Sequence, residues 1–303
     1  MVVGTGVLLP ISSLPSGRFK DGYRFVDWLV DNKYKYWQIL PLNPRDSLGS
    51  PYNSKDITGI DPAYGTRNEW FKLKKYANNK GIKIIGDLPF FVPGDSLEAR
   101  KHPEFFDFRH KSGAPPDKFR KNGQRWGHPQ YSWEAIEKNG FKLFLSRFKW
   151  TIKMFDLVRL DHFSGYEAVW ILPDKKWVKV PGEKLFTVAK KHFGQLPFIA
   201  EDLGVITPSV EQLRKKFHFL GSAVVQFGEN NNKDIVYYSS THDTDTLRGH
   251  YGRNWEKYLD KVLKADAQIK IVPMWDILGL DNRARFNRPG TKKGNWKWRL
   301  RQI

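Results

Sequence analysis

Residues 157–163, Leu157-Val158-Arg159-Leu160-Asp161-His162-Phe163, form a short apolar run that stops on an acid, and that pattern decides the fold. It recurs at Ile84-Ile85-Gly86-Asp87, at Ile199-Ala200-Glu201-Asp202, and at Thr241-His242-Asp243 after the apolar stretch 235–240. Short β-branched runs separated by helical stretches are the mark of parallel strands joined by crossover helices. Eight runs can be counted, at 6–10, 36–42, 82–91, 157–163, 198–203, 223–227, 235–240 and 269–278. Helical periodicity fills the gaps at 23–32, 69–79, 182–193, 208–217 and 255–268. Eight alternating strands in 303 residues predict an α/β protein of the (β/α)8 TIM-barrel class rather than an open sheet. No repeat, low-complexity tract or linker interrupts the pattern, so one catalytic barrel over 1–303 is expected. Two loop excursions, after strands 2 and 3, decorate it. Residues 43–66, rich in Pro, Gly, Ser and Asp, read as a long ordered substrate loop. Residues 91–150, with Pro, Gly and many aromatics, read as a small excursion subdomain over one face of the barrel.

Composition removes several function classes. The chain has no Cys, which excludes disulfides, thiolate zinc sites and a Cys nucleophile. Its longest apolar candidate, 2–11, is broken by Gly4, Gly6 and Pro10, and it falls well short of the ~18 residues a span needs. No basic stretch precedes it, as a signal peptide would require. A cytoplasmic protein with no membrane partner is expected. Lys and Arg number 51 against 32 Asp and Glu, a net charge of +19. The basic residues are scattered, however: Lys72, Lys74, Lys75, Lys80 and Lys83, then Lys118, Arg120, Lys121 and Arg125, then Lys292, Lys293, Lys297, Arg299 and Arg301. No nucleic-acid motif accompanies them, so a basic solvated surface is expected and nucleic acid is not the expected partner.

In a barrel, the loops at the carboxyl ends of the strands build the site. Asp87, Asp161, Glu201 and Asp243 therefore meet at one rim. Any single one has a simpler role as the cap of the next helix; four together weaken that reading. Arg159 and Asp161, two apart on a strand, point to the same side. A guanidinium beside a carboxylate favours the charged form, although a structural ion pair explains the same spacing. One acid kept charged and another able to hold a proton is the division of labour that acid/base sugar chemistry needs. Trp126, Tyr52, Trp170, Trp275 and Trp37 fall near the expected loops, and flat rings pack on the C–H faces of sugars. Many aromatics must be core, so Tyr52 and Trp126, which lie in Pro/Gly-rich segments, are the favoured pair. His242, Asp243 and Asp245 also admit a metal hydrolase, but sugar hydrogen bonding plus helix capping accounts for them better, and no metal is expected.

At these residues the sequence resembles the amylomaltases, the 4-α-glucanotransferases of glycoside hydrolase family 77. The resemblance rests on Gly6-Val7-Leu8-Leu9-Pro10, Tyr36-Trp37-Gln38-Ile39-Leu40-Pro41, Ser50-Pro51-Tyr52 and Ile84-Ile85-Gly86-Asp87-Leu88-Pro89. It continues through Trp126-Gly127, Val158-Arg159-Leu160-Asp161-His162-Phe163, Ala200-Glu201-Asp202-Leu203-Gly204-Val205, Thr241-His242-Asp243 and Asn287-Arg288-Pro289-Gly290. It implies that Asp161 is the nucleophile, Glu201 the general acid and then base, and Asp243 a third acid that stabilises the transition state. It further implies that Ser50, Tyr52, Asp87, Trp126, Arg159, His162, His242 and Asn287 bind substrate. The implied reaction moves segments of α-1,4-glucan between maltooligosaccharides with retention, and it uses no cofactor. An α-1,4-glucan hydrolase with the same site is the alternative, and a non-catalytic glucan- or nucleic-acid-binding barrel is a more distant one. The chain departs from the family pattern by a much shorter segment between strands 2 and 3, and by Ser164, Gly49, His128, Asp61, Lys118 and Trp275.

Overall fold

The computed structural model describes residues 3–116, 121–204, 206–230 and 232–303. Lys118, Arg120 and Val205 lie outside the described residues. Twelve strands follow one another among these residues: β1 (Gly4–Leu8), β2 (Tyr36–Gln38), β3 (Lys83–Leu88), β4 (Phe106–Ala114), β5 (Gln124–Tyr131), β6 (Leu157–Leu160), β7 (Ala168–Leu172), β8 (Lys176–Lys179), β9 (Phe198–Ala200), β10 (Gly221–Val224), β11 (Ile235–Tyr238) and β12 (Ile269–Pro273). Eight of them form one parallel sheet in the order β10-β11-β12-β1-β2-β3-β6-β9. A parallel bridge from Ile199 to Leu220, with the Ala200 amide donating to the Leu220 carbonyl at 2.7 Å, brings the last strand back to the first. The result is a TIM barrel, as the sequence pattern predicts.

Local chemistry explains the crossover helices. Helix Phe19–Asp31 buries Phe19, Phe25, Val26 and Leu29, a stripe at helical spacing that faces the sheet. Helix Arg67–Asn79 begins with a capping box, in which the Thr66 side chain accepts from the Glu69 amide while Glu69 accepts from the Thr66 amide. Thr207 caps helix Pro208–Lys216, with Pro208 in the first turn where its missing N–H costs nothing. Gly86 is needed for contact: a Cβ there would sit 2.1 Å from the Phe155 ring. That close approach seats the strand carrying Asp87 against its neighbour.

Most strands are shorter than the apolar runs, because several runs continue past the sheet into rim loops. The clearest correction is 269–278, where only Ile269–Pro273 is strand and Met274–Ile277 turns into a helix. In the stretch 91–150, helix Lys142–Met154 leads directly into β6, so it serves as a barrel crossover. The hairpin β4–β5 joins β7 and β8 in a four-stranded antiparallel sheet, ordered β5-β4-β7-β8. The pair β7–β8 was not legible as strand, and it comes from the loop after β6 rather than from 91–150. Trp37 and Trp275 are also corrected. Their exposures are 0% and 1%, which places both in the core and away from any ligand.

Candidate active site

The carboxyl ends of β3, β6, β9 and β11 bring the acids together around one guanidinium. Asp87 and Arg159 are register partners across β3 and β6, and Arg159 Nη1 donates to Asp87 Oδ2 at 2.7 Å. The same Nη1 reaches Asp161 Oδ1 at 3.0 Å, and Nη2 lies 3.9 Å from Glu201 Oε2. None of the four acids caps a helix; Thr246 performs that task for helix Leu247–Tyr251.

Main-chain geometry fixes the second acid against the first. Immediately after Asp161 the chain turns through His162 with φ of 49°, a left-handed conformation rare outside glycine. This turn aims the His162 amide at Glu201 Oε2, 2.8 Å away, while the Phe163 amide donates to the Glu201 carbonyl at 3.0 Å. Glu201 is thereby stitched, through both its side chain and its carbonyl, to the segment that follows Asp161.

The environments of the acids differ. Burial pushes the Glu201 carboxyl up to about 8, outweighing the more distant Arg159 and the His162 amide. Burial also raises Asp87, to about 6, with Arg159 holding it charged near neutrality. Asp243 goes the other way. Burial works against its ionisation, yet His242 and Asn287 draw it down to about 2. The contacts are direct: Asn287 Nδ2 donates to Asp243 Oδ1 at 2.6 Å, and His242 Nε2 lies 3.3 Å from Oδ2.

The expected binding residues fall into three groups. Tyr52 spans the mouth, donating to Asp87 Oδ2 at 2.8 Å and stacking on the His242 ring at 5.3 Å. Trp126, on β5, meets His162 edge-on at 4.8 Å and forms a wall with Phe91. Ser50 acts on its own loop, its hydroxyl accepting from the Tyr52 amide at 3.3 Å. Trp170 is not with them: among the described residues its ring neighbour is Trp177 on β8. Asp245 turns from Asp243 to Arg285, 2.5 Å away, and among the described residues no group of His, Asp and Glu is arranged to hold a metal ion.

Sequence reasoning missed two residues. Arg285 Nη2 donates to the Asp243 carbonyl at 2.8 Å, and its Nε donates to the Asn287 carbonyl at 3.0 Å, tying together the two segments that present Asp243 and Asn287. Its spacing two before Asn287 was the available signal. Asp276, fully buried, accepts from the Ser239 and Ser240 hydroxyls at 2.6 Å and from the Leu247 amide at 2.7 Å. It anchors both ends of the segment that carries Asp243, and nothing in the sequence distinguishes it from an ordinary surface acid.

A family model described as 4-alpha-glucanotransferase matches residues 9–66 and 64–303. The chain belongs to the 4-alpha-glucanotransferase family. The relative from Thermus thermophilus is 38% identical over 283 residues, covering 77% of this chain and 57% of its own length. The family member from Clostridium butyricum is 36% identical over 281 residues, 77% of this chain and 58% of that one. The chain thus spans little more than half the length of the curated relatives it matches. Among solved structures, the amylomaltase from Streptococcus agalactiae in complex with acarbose superposes with a TM-score of 0.90 at 25% identity, covering 99% of this chain and 95% of that chain. An α-amylase from Lactobacillus plantarum, 14% identical with a TM-score of 0.66, shares the barrel fold.

Proposed function

We propose that this chain is a retaining 4-α-glucanotransferase that moves α-1,4-glucan segments between cytoplasmic maltooligosaccharides, as a single catalytic unit in which 43–66 and 91–150 flank the cleft. The observation that carries the reading is the unequal treatment of three neighbouring acids. Asp161 touches Arg159, Asp243 is drawn down to about 2, and Glu201 is pushed up to about 8. At neutral pH this leaves one proton donor among anions, the pairing that glycosidic cleavage with retention requires.

In the first step an Asp161 carboxylate oxygen bonds to the anomeric carbon. The glycosidic C–O bond breaks, and Glu201 gives its proton to the departing oxygen. In the second step the Glu201 carboxylate takes the proton from an acceptor hydroxyl, whose oxygen bonds to the anomeric carbon and frees Asp161. The balance closes without a metal or an organic cofactor. Asp243 stabilises the positive charge that develops on the ring. Asp87 Oδ1, buried and with no hydrogen-bond partner among the described residues, suits a sugar hydroxyl. Arg159, Tyr52, His162, His242 and Asn287 orient the transferred glucosyl, Trp126 offers a flat face, and Ser50 shapes the loop.

Maltotriose is the discriminating substrate. Transfer gives glucose and a ladder of longer glucans with a constant number of reducing ends. Glucose and maltose alone, with reducing ends rising, would replace this reading with hydrolysis. The charge of +19 does not alter the proposal, because the basic runs are partly engaged with acids, as in the ion pairs of Lys80 with Asp27 and Lys74 with Asp156.

A further inference from the structure

Every tryptophan of the chain except two packs into one of the three apolar clusters. The exceptions, Trp170 on β7 and Trp177 on β8, are cross-strand partners in the four-stranded sheet. Directly paired residues share a face, and the row through them runs Arg125, Gly113, Trp170, Trp177 across β5, β4, β7 and β8. The neighbouring pair Val169 and Val178 points the other way, with Val169 buried and Val178 packed on the main core. Trp170 and Trp177 therefore stand on the outer face. Trp177 is 52% exposed and Trp170 half-buried, and Gly113 puts no side chain beside them.

An exposed tryptophan pair costs hydrophobic free energy that burial in the core would have recovered. Its geometry suits one ligand class. The ring centroids are 5.5 Å apart and the planes are inclined at 68°, so the two rings do not form a flat platform. An α-1,4-linked glucan coils and turns the faces of its sugars relative to one another, whereas a β-linked chain is flat and fits coplanar rings. The place suits it as well, since the opposite face of the same sheet carries Trp126 into the cleft, against His162. We infer that Trp170 and Trp177 form a second α-glucan contact, outside the catalytic cleft, that holds polymeric substrate. The ligand class rests on the glucanotransferase reading of the cleft. Arg125, at the end of the row, can donate to sugar hydroxyls.

The test is electrophoretic retardation in native gels containing soluble amylopectin, run in an Asp161→Ala background so that the matrix is not remodelled. Trp177→Ala should weaken the apparent Kd roughly threefold to tenfold, the loss of one aromatic contact, and Trp177→Phe should largely restore it. Turnover of maltotriose, measured with Asp161 intact, should stay within about twofold of wild type for Trp177→Ala, because a ligand that short is held by the cleft. Retardation unchanged by Trp177→Ala overturns the inference. So does an equal loss with Trp177→Phe, a parallel loss of maltotriose turnover, or Trp177-dependent binding of single-stranded RNA in place of amylopectin. A change from dimer to monomer in sedimentation would assign the pair to an interface between copies and overturn it too. Failure of wild type to convert maltotriose counts against the cleft reading alone, since retardation is scored separately.

Discussion

Two arginines govern the two sides of the cleft, and they do so in different ways. Arg159 speaks to side chains: it touches Asp87 and Asp161 and lies near Glu201, so three carboxyls share one positive charge. Arg285 speaks to the main chain, bonding the Asp243 and Asn287 carbonyls and pairing with Asp245. On the first side burial keeps Glu201, the acid farthest from Arg159, protonated near neutral pH. On the second side Asn287 and His242 contact Asp243 directly and keep it charged. Similar residues thus acquire opposite tendencies, because burial prevails at Glu201 while His242 and Asn287 outweigh it at Asp243.

This contrast can be broken most completely at Asp161. Asp161→Ala removes the group that would bond to the anomeric carbon, and disproportionation of maltotriose should fall by about four orders of magnitude or more. A variant that keeps a tenth of its activity would show that the Arg159 side does not carry the covalent step. Next in size is Glu201→Gln, which should cost roughly 10²–10⁴-fold on natural glucans. The loss should be much smaller on a substrate whose leaving group needs no proton. The wild-type rate should also decline as pH rises through about 8, where Glu201 loses its proton, and a flat profile to pH 9 would remove it as the acid. The smallest effect belongs to the other side. Arg285→Met should slow maltotriose turnover roughly tenfold, mainly through kcat, because Asp243 keeps its charge but loses its fixed position. Its basic pH limb should match wild type, since Asp243 keeps the charge that acts on Glu201; a displaced limb would mean that Arg285 itself tunes the proton donor.

Much of this was legible in the sequence, for a reason that can be traced. Asp161 and Glu201 each follow a short strand directly, and Asp243 comes a few polar residues after β11, so strand identity and rim position follow together for all three. What stayed hidden depends on contacts distant in sequence. Trp275 reads as a loop aromatic because its run overshoots β12, Trp37 sits within β2 itself, and only packing shows both to be core. Strands β7 and β8 are short and β8 carries Lys176 and Lys179, so the pairing of β7 with β4 and β8 left no periodic trace. Asp276 looks like a solvent-facing acid until Ser239, Ser240 and Leu247 close around it. The environments of the acids were less legible than their positions, because they depend on which carboxyl Arg159 reaches first.

The ring of strands is thinnest between β9 and β10, where Ile199 and Leu220 make a lone bridge, while the β1–β12 join runs over five residues. Side chains reinforce that seam: Asp202 accepts from the Ser222 amide at 2.6 Å, and the Ser222 hydroxyl donates to the Ala200 carbonyl at 2.8 Å. Because β6 and β9 lie together on one side of it, loosening there would leave Asp161 and Glu201 as a unit and shift them jointly away from Asp243. The sheet thus closes on its fewest main-chain bonds beside the pair Asp161 and Glu201, and not between them.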